Sequence, residues 1–158
     1  MIKRCFTNFT HKKVVTLYTT VVRPILEYAS VIFQPFYVKD IDKLQKVQDR
    51  CLALCTSHDI RMDSLQVRRE KTDLVETYKL SHNKYRIDPD CLFQKPNRNL
   101  RGHDYKIHKV SVNTEIRKNF FTNRVVDKWN KLPAETVAAP SVDSFKKKLR
   151  VTPTGEVT

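Results

Sequence analysis

Glycine occurs only twice in this chain, at Gly102 and Gly155. Phosphate-cradling G-x-x-x-x-G-K-[ST] loops and G-x-G-x-x-G dinucleotide turns both need glycines at close spacing, so neither can exist here. Collagen-like, Gly/Ser-linker and low-complexity readings fail for the same reason. The chain is instead organised by helical periodicity, interrupted by proline. At 158 residues and 40% hydrophobic content it can build a real core.

Residues 10–33 read as a long, largely buried helix capped by Thr10. Val14, Leu17, Tyr18, Val21, Ile25, Tyr28, Ala29 and Ile32 share one broad face. Pro24 cannot donate an N–H to Thr20, which predicts a kink, and Pro35 ends the segment. Residues 40–56 form the clearest amphipathic helix, with Asp40 as N-cap. Ile41, Leu44, Val47, Cys51, Leu54 and Cys55 share its apolar arc. Lys39, Lys43, Lys46 and Arg50 occupy the opposite arc, within about 60°. A third helix spans 64–82 with Ser64 as cap, an apolar stripe of Val67, Leu74, Val75 and Tyr78, and a mixed-charge face expected to be solvated and ion-paired.

Residues 84–113 hold Pro89, Pro96 and Gly102 and keep no helical period. They read as a basic irregular linker, with one short strand or extended arm over Tyr105–Val110. Helix returns at 115–132, where Phe121, Val125, Trp129 and Leu132 fall within about 80°. Arg117, Arg124, Lys128 and Lys131 take an adjoining arc of about 60°. Pro133 stops this helix. Ser141 caps a last one, with Val142, Phe145 and Leu149 inward and Lys146, Lys147, Lys148 and Arg150 outward. The tail from 152 to 158 reads as frayed. The expectation is a mostly α fold of about five helices. One lobe covers 1–83 and a second covers 114–151, joined by a linker with at most a short hairpin.

The net charge is +13. It is distributed as +4 over residues 1–60, +3 over 61–100 and +6 over 101–158. Such an excess favours a polyanion partner, and cations at helical spacing can track phosphates without reading bases. The plainer reading is that these cations only solubilise their helices. For Lys39, Lys43, Lys46 and Arg50 alone the plainer reading prevails, and they stand as the second choice for phosphate contacts. The row at 117–131 followed by the cluster at 146–150 tips the balance toward nucleic acid. Trp129, in line with Phe121 and Val125, reads as a core anchor.

The basic N-terminus has no apolar region behind it, so it is not a signal peptide. Val21–Phe36 is too short and too charged to span a bilayer. The expected location is intracellular, nuclear or cytoplasmic, with reduced cysteines. Cys51, Cys55, His58 and Cys91 do not match a common zinc spacing, and both helical cysteines fall on an apolar arc. The five histidines form no recognised catalytic pattern. Asp40/Asp42 and Asp88/Asp90 read as a cap and a turn, so no catalytic or metal residue is assigned.

Three segments together carry a resemblance: LYTTVVRPILEYASVIFQPFYVKDIDKLQKVQDR at 17–50, SLQVRREKTDLVETYKL at 64–80 and NFFTNRVVDKWNKLPAETVAAPSVDSFKKKL at 119–149. In this order they resemble the thumb and downstream region of Jockey-type non-LTR retrotransposon (LINE) reverse transcriptases. DPDCLF at 88–93 and RGHDYKI at 101–107 fit the same pattern. The resemblance implies the parent activity of an RNA-directed DNA polymerase using magnesium. It also implies that this region grips the template–primer duplex by its phosphates. The family's F/Y-x-D-D motif is absent from this sequence, so no residue inherits a catalytic role and no cofactor is expected in the chain itself. The implied partners are RNA or RNA–DNA or DNA duplex backbone and the parent's palm and endonuclease parts, without a membrane. The segment between Thr56 and Ser64 is shorter than in relatives, and Met1 fits an internal methionine of a longer frame. A helical protein-interaction module and a non-functional transposon remnant are the alternative readings.

Overall fold

A computed structural model describes residues 11–54, 62–96 and 103–151. Among these the protein is mostly helical, as the periodicity predicts, and the short strand that the alternation over Tyr105–Val110 allowed does not form. The expected Thr10 cap, Cys55, His58, the shortened stretch after Thr56 and the tail after Val151 lie outside the described residues. By internal contact the chain divides into two units, Met1–Arg69 and Glu70–Thr158. The division falls within a helix, not in the expected linker at 84–113, which belongs to the second unit.

The described part of the first unit opens on α1 (His11–Leu17), a π-helical turn (Tyr18–Val22) and α2 (Arg23–Glu27). The π turn is how the chain accommodates Pro24. The Arg23 N–H bonds to the Tyr18 carbonyl, one residue further back than an α-helix would take it. That extra residue rotates everything downstream by about 100°. Val14 and Tyr18 are therefore buried, while Val21 and Ile25, expected on the same face, are exposed. The helix also stops earlier than periodicity predicts. Tyr28 turns extended (ψ 130°) and Ala29 enters the left-handed region at φ 46°. Tyr28 and Ile32 consequently lie on the surface rather than in a core.

Helix α3 (Val38–Leu52) starts after Tyr37, so Asp40 sits in its first turn instead of capping it. Its apolar arc is only half-buried. The one α3 side chain classed as buried is Gln48, 1% exposed. Burial of an amide requires partners. The Tyr18 hydroxyl donates to Gln48 Oε1 at 2.7 Å, and Gln48 Nε2 donates to the Asp63 carbonyl at 3.2 Å. Ser64 caps α4 (Leu65–Ser81) as expected, its Oγ accepting from the Val67 N–H at 3.2 Å. In the first turn of α4, Arg68 forks onto the Glu27 carboxylate. Buried Arg69 donates to the Leu26 carbonyl at 2.9 Å. This face was expected to be solvated. The ion pairing is present, but Arg69 and Asp73 are buried.

The second unit contains the rest of α4. That helix ends where Asn83 turns left-handed (φ 51°) and the Lys84 N–H bonds back to the Lys79 carbonyl at 2.9 Å, a Schellman closure. A 3₁₀ turn at Pro89–Cys91 and an arm without regular secondary structure over 106–112 follow. The helix expected at 115–132 is three short pieces: α5 (Glu115–Lys118), α6 (Phe121–Arg124) and α7 (Val126–Asn130). The break at Phe120 is stabilised locally. Asn119 Nδ2 donates to the Glu115 carbonyl at 2.9 Å, and Asn123 Nδ2 donates to the Arg117 carbonyl at 2.9 Å. Helices α8 (Ala134–Val137) and α9 (Val142–Val151) complete the unit. Its core gathers Leu74, Tyr78, Val126, Trp129, Val137 and Phe145, all at 0% exposure.

Candidate nucleic-acid interface

The second unit concentrates the expected cations, but the broken helix does not keep Arg117, Arg124, Lys128 and Lys131 as one row. Arg124 holds the fold. Its Nε and Nη2 fork onto Asp73 at 2.8 and 2.9 Å, and Nη1 donates to the Asn119 carbonyl at 3.0 Å. The two side chains are only 14% and 5% exposed. Burial raises the Asp73 carboxyl above its ordinary range, while Arg124 pulls it the other way. A guanidinium so bonded does not face a phosphate, which corrects its place in the expected row. Lys128 is bound by Glu70 at 2.5 Å. Arg117 is exposed and lies over the Phe120 ring, 5.2 Å from its centroid. Lys131 is exposed in the turn after α7.

Helix α9 keeps the expected arrangement. Phe145 and Leu149 are buried, and Lys146, Lys147 and Arg150 are exposed. On ideal geometry these three cations fall within about 100° of arc. Ser141 Oγ accepts from the Ser144 N–H at 3.2 Å and so fixes where the helix begins. Lys148 turns aside and donates to the Glu135 carbonyl. In the first unit, Lys39, Lys43, Lys46 and Arg50 are all exposed along α3. Lys43 pairs with Asp40 at 3.0 Å, and Lys39 sits 5.6 Å from the Tyr37 ring centroid.

What periodicity missed in the second unit is a stacked column of rings. Tyr105 stacks on His82 (4.3 Å), His82 on Tyr78 (4.1 Å) and Tyr78 on Phe145 (4.4 Å), with interplanar angles of 21°, 26° and 18°. The i,i+4 spacing of Tyr78 and His82 was a usable signal, since such pairs are neighbours on a helix. The place of Tyr105 was not legible, because it depends on the arm. Trp129 Nε1 donates to the Tyr105 carbonyl at 2.7 Å. Asn130 exchanges two bonds with the Ile107 backbone, at 3.0 and 2.8 Å. His82 Nδ1 donates to the Tyr78 carbonyl and His103 Nε2 to the Trp129 carbonyl. Burial lowers the pKa of both histidines.

Among the described residues no group of three His, Cys, Asp or Glu side chains could hold a metal ion. No described helix is long and apolar enough to cross a membrane. Compared with known family models, curated proteins and solved structures, the chain matches none.

Proposed function

We propose that this chain grips a nucleic-acid duplex through its phosphates, as the thumb and downstream part of a retrotransposon-encoded RNA-directed DNA polymerase. The observation that carries the reading is the exposed cationic face of α9, Lys146, Lys147 and Arg150. It lies in the most basic third of the chain. Lys131 and Arg117 add exposed charge in the same unit, and α3 supplies a second row. The polymerase's magnesium chemistry belongs to a palm. Without an F/Y-x-D-D motif, the purified chain incorporates no nucleotide by itself.

The test is fluorescence anisotropy of a labelled RNA–DNA hybrid titrated across a salt series. Affinity should fall steeply with salt, by a slope of about 0.9 per phosphate contact on the B-DNA calibration. Lys146→Glu with Lys147→Glu and Arg150→Glu should weaken binding and flatten that slope. Absence of binding by a demonstrably helical protein would overturn the reading.

The exposed apolar side chains of the first unit favour a second reading, a helical protein-interaction module. Ile25, Tyr28, Ile32, Phe33 and Val38 are each more than two-thirds exposed. A partner protein bound independently of salt, with no hybrid affinity, would select it.

A further inference from the structure

A cavity of about 490 Å³ opens in the second unit, bounded by the 3₁₀ turn, the segment after it and the start of the arm. Tyr105 lines it and is also the outer end of the ring column, 42% exposed where Tyr78 and Phe145 are fully buried. The column is fixed from both sides, by Phe145 on α9 and by the bonds that Trp129 and Asn130 make to the arm. A ring held in this way is a stacking platform that loses little freedom when another flat group lands on it. Asn83, Gln94, Asp104 and Lys106 also line the cavity. The other two carboxylates there are already engaged. Asp88 caps the Asp90 N–H at 3.0 Å, and Asp90 pairs with Lys95 at 2.9 Å.

A partly exposed aromatic residue in a cavity lined also by amide, acidic and basic residues has the composition that a base with its sugar–phosphate requires. We propose that this cavity receives the base of an unpaired nucleotide of the nucleic acid that the chain grips. The inference rests on the duplex reading and adds a second, separable site to it. Stacking on Tyr105 supplies the affinity, the amides and Asp104 meet the base edge, and Lys106 meets the phosphate. Purine and pyrimidine rings both present a stackable face, so the platform tolerates sequence.

The experiment compares a blunt RNA–DNA hybrid with the same hybrid carrying a short single-stranded extension that contains 2-aminopurine. The extension should tighten binding by about tenfold, the scale of one base stacked on an aromatic ring. Its fluorescence should be quenched on binding. Tyr105→Ala should abolish both the gain and the quench while the blunt hybrid still binds, and Tyr105→Phe should keep them. Should Tyr105→Ala fail to fold, Asp104→Asn, at an exposed residue outside the ring column, should still reduce the gain. Equal affinity for blunt and extended hybrids, without quenching, would overturn the base site and leave the duplex grip standing. Loss of binding to both hybrids by the folded wild-type chain would overturn the two together.

Discussion

Asp73 and Arg124 form a largely buried ion pair in the second unit. Removing either partner strands the other in a site that water reaches poorly. Asp73→Ala should therefore cost about 3 kcal/mol of stability in denaturant unfolding. Asp73→Leu combined with Arg124→Met should recover most of it, because the desolvation cost disappears with the charges. Ala29 stands at φ 46°, where a side chain crowds the backbone. Ala29→Gly should stabilise the first unit by about 1 kcal/mol, read from the same unfolding curves. His82 and His103 give a pH dependence whose sign follows from burial. Their folded pKa values lie below the ordinary 6.5, so the unfolded chain binds more protons below that point. Their stabilising contribution is complete above about pH 6.5 and is lost as pH falls toward the lowered values. Asp73, with a raised pKa, acts in the opposite sense: its contribution is present at low pH and fades as pH rises. The histidine part is isolated by comparing melting temperatures of wild type and His82→Phe/His103→Leu from about pH 7.5 to about 5.5. The wild type should lose more stability over that range than the variant.

At the scale of elements, one amide side chain pairs with the backbone of the arm on both sides of a single residue. Asn130 bonds both the N–H and the carbonyl of Ile107, doing for the arm what a neighbouring strand would do. Asn130→Ala leaves those two backbone groups without their partner, at a cost of about 2 kcal/mol. It should also speed amide exchange at Ile107 much more than at residues in α9. Helix α9 is built differently. Its Ser141 cap, its buried Phe145 and Leu149 and its outward cations are all local consequences of spacing. It accordingly matches the sequence reading closely. The expected helix at 115–132 does not, because Asn119 and Asn123 use their side chains on backbone carbonyls and let the chain turn between α5 and α6.

At the scale of the molecule, the first unit presents apolar surface that a closed core would hide. Ile25 and Ile32 are 73% and 69% exposed. Ile25→Lys with Ile32→Lys should reduce binding of an apolar dye and any concentration-dependent association seen by light scattering, without lowering helix content. The sequence alone determined the mostly helical class, the Ser64 and Ser141 caps, Trp129 as an anchor and the two-sided character of α9. These depend on spacing within a few turns, which is written directly in the chain. Pro24 announced a kink, but only the structure showed that it takes the form of a π turn that carries the face beyond Tyr18 out of the core. The tertiary structure alone also decided that Arg124 would meet Asp73, 51 residues away, and that Tyr105 would close a column begun by Tyr78 and His82. The last two outcomes rest on partners brought together from distant parts of the chain, where desolvation and hydrogen-bond satisfaction outweigh local periodicity.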